Sequence, residues 1–541
     1  MGKFDWLDDM VKKPIATEEN LVTSYTQRKT ALQLGVRETP LEWAKFLVEK
    51  SRIVDVWMEG GTIYDPCFGY LTMFQALMEC ALEKGHSIED MQFENLHGNE
   101  LNSLMYETAF TEKKGHDIIK YLKKENFTNK DFLDVSPYYK YDAMLSFLPN
   151  IDYRACPKWY NDLIIHKYID YGLTNTTRNI FFHKMIISYA GLLLNKMIAD
   201  NLKEGGVATT FLNMNVYTVD AAHNYFRKSK AKGVDYALKF IIDMKGTPMA
   251  KYYEEDLVLV KYQRDEKTQF PVPTTYYNRY NWFGRYAAPL FGNDNVLTFS
   301  DNLKLLKESV GDRLLVRKIS KPRQGVNTFG GTKYYLFDYY EELGDGNAVI
   351  ANEDVGRITV PQKYVYPIIT NSMLTGNADK TPTRWILLPY NEVSGKPLNV
   401  GSMKKEPLLY EYFKKYQTEL ENRKTLTYQP YIKHGIFWAV FALGDYSFKE
   451  HKVVWLTSKT KKTVAQIFKG RWIPYSTSMV SMTTYNEEDA VEICNYINSD
   501  MVDKYLNSLN LKRSNSSYGK VTDIAKMLEF YDAEEEAASQ D

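Results

Sequence analysis

Neither sign of charge is in excess in this chain of 541 residues, where 68 Lys and Arg are balanced by 68 Asp and Glu. That balance excludes a uniformly basic nucleic-acid binder, because phosphate contacts need concentrated positive charge. Any such role must rest on local clusters. Cysteine is scarce: Cys67, Cys80, Cys156 and Cys494 are the four present, and no two form a C-x-x-C pair. A disulfide framework and a thiolate zinc site are therefore not expected, and the usage fits a reducing cytoplasm. Long apolar runs are lacking as well. The opening residues carry no signal-peptide core, and the most lipophilic stretch, Ile180–Ala199, is interrupted by His183, Lys184, Asn195 and Lys196, so no membrane span is expected.

What is present is the composition of a globular protein, with 44% hydrophobic, 14% aromatic and 25% charged residues. The length suggests two to four domains. From about residue 38 to 262, short apolar runs alternate with helical patterns, the signature of βαβ units and a parallel sheet. Strands are predicted at Thr62–Tyr64, Asn95–Gly98, Ala143–Leu148 and Val207–Leu212. Helices are predicted at Met73–Leu82, Ser103–Thr111 and Ile180–Leu202, the last stopped by Glu204-Gly205-Gly206. Beyond about Asp265 the texture changes to aromatic-rich loops and short strands such as Pro271–Tyr280 and Lys333–Tyr340. Pro407–Lys424 reads as one long polar helix with Leu408, Leu409, Tyr412, Phe413, Tyr416 and Leu420 at helical spacing. Two basic segments lie in this half. Leu303–Lys333 holds eight Lys or Arg against Glu308 and Asp312, and Tyr428–Trp472 another eight against Asp445 and Glu450.

The sharpest local signal is Ile63-Tyr64-Asp65-Pro66-Cys67-Phe68-Gly69, a strand running into an acid, a proline, a glycine turn and a helix. In open α/β sheets the ligand sits beyond the carboxyl ends of the strands, and glycine there lets a nucleotide-like ligand approach the backbone. Alone, D-P-x-x-G is an ordinary strand-turn-helix corner. About thirty residues on, Glu100 ends the next strand, where a carboxylate can accept both ribose hydroxyl protons. After a similar interval Asp131 stands beside Phe132, a pair suited to hydrogen-bonding an adenine amino group and packing on its ring. Each acid singly could be a helix cap or a surface charge; the three in order make a nucleotide-type site.

At these residues the chain resembles the amino-group DNA methyltransferases, in particular the adenine-specific (N6) enzymes of type I and fused type II restriction-modification systems. Asp65, Pro66, Cys67 and Gly69 match the family's first motif, Glu100 its second, and Asp131 with Phe132 its third. The segment from Gln27 to Arg37-Glu38-Thr39-Pro40 is similar to the one that closes over the methionine part of the cofactor. The resemblance implies S-adenosylmethionine as cofactor, bound by Thr39, Pro40, Asp65, Pro66, Cys67, Gly69, Glu100, Asp131 and Phe132. It implies a class I methyltransferase (Rossmann-like) fold, a mostly parallel α/β sheet with helices on both faces, followed by a mixed α+β target-recognition region. One departure is Leu71, where the family usually has a second glycine; a side chain there is expected to crowd the methionine end.

The family's catalytic motif is Asn, Asp or Ser, then two residues of which the second is proline, then an aromatic, at the end of the fourth strand. Asn150-Ile151-Asp152-Tyr153 is the best match, with Asp152 at the proline's place. By this resemblance Asn150 takes the target amine, Tyr153 stacks on a base flipped from the duplex, and Asp152 accepts a proton. A second register puts Phe147 in the asparagine's place and would abolish the chemistry.

Later segments are similar to the family's recognition region: Gly325-Val326-Asn327-Thr328, Val365–Ile369, Trp385–Tyr390, the spacer helix ending in Leu420–Arg423, and Cys494–Ser499. The expected division is residues 1–37 a helical lead, 38–265 the methyltransferase domain, and 266–405 and 426–531 the two recognition parts around a spacer helix at 406–425. Residues 532–541 are expected to be a disordered acidic tail. Lys321, Arg323, Lys459, Lys461, Lys462, Lys469 and Arg471 are the expected DNA contacts. The partners implied are double-stranded DNA and a companion subunit of a restriction-modification or phage-related system. The expected function is N6-adenine methylation of DNA; the alternative is a methyltransferase-like recognition subunit without chemistry.

Overall fold

A computed structural model describes residues 38–111, 116–149, 158–173, 189–218, 230–253, 256–278, 280–291, 296–317, 321–375, 380–423, 429–457, 464–508 and 521–531. The helical lead at 1–37 and the tail at 532–541 lie outside the described residues. The chain divides into two units, residues 1–303 and 304–541.

In the first unit, five parallel strands form one part of a sheet whose central strands are buried on both faces. They are β1 (Ile63–Asp65), β2 (Leu96–Glu100), β3 (Phe127–Asn129), β4 (Tyr141–Phe147) and β5 (Leu202–Asn213). Their order is β3-β2-β1-β4-β5, all parallel. The order reverses between β1 and β4, the switch point at which doubly wound sheets bind ligands. After β5 come β6 (Lys230–Ala231), β7 (Val234–Asp243) and β8 (Leu257–Arg264). β8 inserts antiparallel between β5 and β7. This is the class I methyltransferase-like fold.

Alternation along the strands sends side chains to two cores. Ala143, Leu145 and Phe147 of β4 join helices α1 (Leu41–Ser51), α2 (Ile53–Met58) and α3 (Thr72–Glu83) on one face. Met144 and Leu148 join α5 (Lys158–Asp170) and α6 (Tyr189–Lys196) on the other, α4 being Ser103–Ala109. Within the lipophilic stretch, Tyr189–Lys196 is a helix buried all round, while His183 and Lys184 lie outside the described residues. Asn195 donates to Gly191 O and accepts from Tyr236, and the buried Lys196 ammonium donates to Val135 O at 2.8 Å.

Three expectations are corrected here. Glu204-Gly205-Gly206 is not a helix stop; α6 passes through a π-helical turn at Met197–Asn201, and the glycines lie inside β5. They form an irregularity in which Tyr141 pairs with Leu202 but Ala143 with Val207. Gly205 has φ +69°, and a Cβ on Gly206 would lie 2.9 Å from Lys203 O, so both positions need glycine. Second, β3 was not foreseen, since three residues carry no periodicity. Third, the sheet does not end at residue 265. β9 (Val272–Tyr277), β10 (Trp282–Pro289) and β11 (Leu297–Ser300) extend it beyond β7, because β7 leaves an open edge whose backbone groups pair with β9.

The second unit holds short, mostly antiparallel sheets, among them a four-stranded one of Arg323–Gln324, Met479–Thr484, His451–Leu456 and Ala465–Lys469. Gly325-Val326-Asn327-Thr328 threads through its interior: a Cβ on Gly325 would lie 2.7 Å from Ser476 O, and the Val326 and Asn327 amides donate to Pro474 O and Phe441 O. Lys333–Tyr340, read as one strand, is a helical turn (Thr332–Tyr335) followed by two short strands. The expected single spacer helix is two, Pro407–Lys415 and Gln417–Glu421, broken at Tyr416. Beyond it, the buried Arg423 guanidinium donates to the carbonyls of Leu420, Thr328 and Phe437. That fixes the chain where the helical pattern stops.

Candidate functional site

The site grows from the end of β1. Asp65 is buried, and its Oδ1 accepts the Cys67 amide at 3.0 Å and the Ser146 hydroxyl of β4 at 2.8 Å. The carboxyl thus ties both strands of the switch point together. Burial pushes its pKa up to about 7; the hydrogen bonds from Cys67 and Ser146 oppose the shift and the Glu100 charge adds to it.

The chain then turns through Gly69, whose φ of +57° is the left-handed region that glycine occupies without strain. The Gly69 amide donates to Glu100 Oε2 and the Asn102 amide to Oε1, each at 2.9 Å. Glu100 is nine-tenths buried, and its pKa is raised by that burial against these amide bonds. A carboxylate has about four lone-pair positions, and with the Leu101 amide also bonded to it one stays available to a further donor. Asn102 Nδ2 beside it is a buried donor with no hydrogen-bond partner among the described residues.

Asp131 is also buried and accepts the Leu133 amide at 2.9 Å, capping the turn Phe132–Asp134. The half-buried Cys67 thiol is pushed up by burial and then by Glu100, Asp65 and Asp131 in turn. The charges of all three acids of the sequence motif therefore act on one thiol. Pro66 occupies the turn between Asp65 and Cys67, its carbonyl 3.4 Å from Asn99 Nδ2. Thr39 is buried and Pro40 begins α1, where the Trp43 and Ala44 amides bond Pro40 O. Tyr253 hydrogen-bonds Glu38 O, fastening this segment. Burial and the charges of Glu38 and Glu100 push Tyr70 up to about 12.

Two readings of the sequence are revised. Leu71 does occupy a glycine-like conformation, φ 67°, ψ 13°, but its side chain is fully buried in the core with α1 and α3 and is spent on packing. Crowding of the ligand space is not its role. Leu71→Gly is expected to relieve about 1–2 kcal/mol of left-handed strain and lose about 3–5 kcal/mol of packing, a net loss of about 1–4 kcal/mol. Denaturant unfolding would measure it, and unchanged stability with tighter ligand binding would restore the crowding reading. Phe132 does not present an open face to a base. Its ring is core, 6.0 Å from that of Tyr64 with Lys196 Nζ 5.2 Å from its centroid, so it underlies the Asp131 turn.

Asn99 was passed over in the sequence. It is fully buried; its Nδ2 donates to Lys130 O at 2.8 Å as well as to Pro66 O, and its Oδ1 accepts Thr128 Oγ1 at 2.9 Å. One amide thus joins the loops after β1 and β3. The available signal was an asparagine between glycine and an acid at a strand end.

Asn150, Asp152 and Tyr153 lie outside the described residues. The strand leading to them is described, and in it Phe147 is core, in edge contact with Phe211 and Tyr253. Among the expected DNA contacts, Lys459, Lys461 and Lys462 lie outside the described residues. Lys321 and Arg323 are exposed, Arg323 lying 5.3 Å from the Tyr446 ring. Lys469 pairs with Glu487 at 3.4 Å, and Arg471 pairs with Glu392 at 2.7 Å while covering the Tyr366 ring. Both are committed within the unit, so their contribution to a phosphate is smaller than their charge suggests.

No protein-family model matches the chain, and no curated protein sequence matches it. Solved structures do. The type IIL restriction-modification enzyme MmeI, in complex with DNA, aligns at TM-score 0.49 and 12% identity, over 91% of this chain and 67% of MmeI. The type IIG restriction endonuclease BpuSI aligns at 0.38 and 14%, over 91% of this chain. This chain spans 58% of the length of BpuSI. A protein of Listeria monocytogenes, provisionally assigned as a class I S-adenosylmethionine-dependent methyltransferase, aligns at 0.30 and 14%, over 50% of this chain and 82% of its own. Among the described residues no helix is long and apolar enough to cross a membrane.

Proposed function

We propose that the protein is a DNA methyltransferase that transfers a methyl group from S-adenosylmethionine to the N6 amine of a flipped adenine. The observation that carries the reading is the joining of the three strand ends at the switch point: the left-handed Gly69 after Asp65 donates to Glu100, and Asn99 ties Pro66 to Lys130 beside Asp131. The donor set fits the cofactor: the remaining lone pair of Glu100 takes a ribose hydroxyl proton, Asn102 Nδ2 offers a donor to a hydroxyl oxygen, and Asp131 takes the adenine amine. Gly69 leaves the backbone open, a Cβ there meeting nothing nearer than Met105 Cε at 3.5 Å. The cofactor supplies the electrophilic methyl group. Asn150 accepts from the target amine and raises electron density on its nitrogen, and Tyr153 holds the base. Residues 304–541 contribute target recognition.

Tritium transfer from labelled cofactor into DNA tests the reading. Incorporation is expected, with Asn150→Ala lowering it by about 10²-fold or more. No transfer to any DNA tried, with cofactor binding intact by calorimetry, would leave the second reading, a recognition subunit without chemistry. That reading is favoured by Asp152 at the family's proline position.

A further inference from the structure

The extension β9–β10 of the first unit carries a feature that the methyltransferase reading does not use. On the sheet face shared with α1, Trp282, Gly284 and Tyr286 follow one another at alternate positions of β10. Their spacing puts the two aromatic rings about 13 Å apart along the strand. Between them Gly284 leaves open space, since a Cβ there would meet no atom within 4 Å. Gly284 pairs with Thr275, and the groove over this floor, about 500 Å³, is lined by Gly284, Tyr286, Thr275, Phe240, Ile242 and Lys50, with Trp282 beyond its end. Trp282 and Tyr286 are more than a third exposed.

One wall is cationic. Trp282 stacks on Phe46 of α1 at 5.3 Å and 19°, and Lys50 Nζ lies 5.3 Å from that same Phe46 ring. Just beyond, Lys261 donates to Ser51 O at 2.7 Å, and its ammonium is disfavoured by burial and by the neighbouring charges of Arg52 and Lys239. Nearby acids are committed: Asp55 to Lys84 and Glu266 to Lys239. Lys50 and Arg52 have no ion-pair partner among the described residues. An aromatic slot with a flat floor, bordered by uncompensated positive charge, matches a planar base that carries a phosphate.

We propose that this groove binds a single-stranded nucleic-acid segment, one unpaired base lying on Gly284 beside Tyr286, with the adjoining phosphate against Lys50. The site stands apart from the methyl-transfer reading. Neither depends on the other. Gly284 has no left-handed backbone, and valine favours strands, so Gly284→Val fills the slot while the strand is kept.

Fluorescence anisotropy of a labelled oligodeoxythymidine against the full chain reads the site. Wild type is expected to bind with quenching of tryptophan fluorescence, and Gly284→Val and Tyr286→Ala each to weaken binding about 5- to 50-fold. Lys50→Glu is expected to lower both the affinity and its salt dependence. Thermal unfolding identifies a variant that fails to fold, in which case the other two decide. Equal binding by all folded variants overturns the proposal. So does binding of thymidine monophosphate as tight as the oligomer, which marks a free-nucleotide site, or displacement by an aromatic peptide but not by the oligomer, which marks a protein site.

Discussion

Asn99→Ala is expected to destabilise the first unit by about 2–4 kcal/mol, because the buried amide is the common partner of three groups. Its removal leaves Pro66 O, Lys130 O and Thr128 Oγ1 without that partner inside the protein, each at about 1–3 kcal/mol before relaxation. For a unit of this size the loss corresponds to a fall in midpoint temperature of roughly 3–6 °C. Asn95→Ala is the control. It sits four residues earlier, is partly exposed, and bonds Gly60 O and Gln92 Oε1 at the far end of β2, so a loss below about 1 kcal/mol is expected. Calorimetry with S-adenosylmethionine should show the second consequence. Asn99→Ala should bind the cofactor more weakly at a temperature where the fold is intact, since the loops carrying Pro66 and Asp131 lose their tie. Equal stability of the two variants would remove Asn99 as the organiser of the site.

The largest pH effect is expected from Asp65. Its folded pKa, about 7, lies well above the ordinary carboxylate value of about 3.9. Between pH 4 and 7 the folded state therefore holds a proton that the unfolded state has shed. Stability must then fall as pH rises through that window, by up to about 1.4 kcal/mol per unit, and level off above pH 7. Asp65→Asn keeps an oxygen for the Cys67 amide and the Ser146 hydroxyl but has no proton to lose. The variant is expected to match wild type near pH 4 and to exceed it by a few kcal/mol at pH 8. Glu100, raised by burial in the same sense, keeps part of the slope in the variant. Urea unfolding at a series of pH values measures this. A wild type whose stability rises from pH 5 to 7, with a variant no more stable at pH 8, would mean that the Asp65 carboxyl is better solvated than its burial implies.

Much of the first unit was legible in the sequence because parallel strands and the turns between them leave local marks. Ile63–Asp65, Leu96–Glu100 and Tyr141–Phe147 are short apolar runs ending in acids or turn residues, and Gly69 stands where the backbone needs a positive φ. What escaped was set by partners distant in the chain. β3 is three residues long and exists because β2 offers it an edge. The strands β9–β11 are polar and aromatic, without the pattern of a buried parallel strand, and are organised by the open edge of β7. Phe132 beside an acid looked like a stacking face, but the ring's surroundings, Tyr64 and Lys196, lie about 65 residues away on either side.

Charge was the least transferable signal. Lys469 and Arg471 read as basic loop residues, yet Glu487 and Glu392 neutralise them, and neither pairing is visible in a window of sequence. The same holds for Leu71. Its departure from glycine suggested an obstruction, whereas direction is a property of the folded backbone, and φ 67° turns the side chain into the core.

By itself the sequence determined the order of acids Asp65, Glu100 and Asp131, the glycine that lets the backbone turn between them, and the alternation that builds a sheet with helices on both faces. These depend on residue type and short spacing, which the chain carries locally. Only the tertiary structure decided that the loop after Asp65 bonds to Glu100, that Asn99 ties it to the loop of Asp131, and that Leu71 and Phe132 are core. Those facts follow from which strand ends lie side by side, and strand neighbours are chosen by burial and hydrogen-bond pairing over the whole sheet.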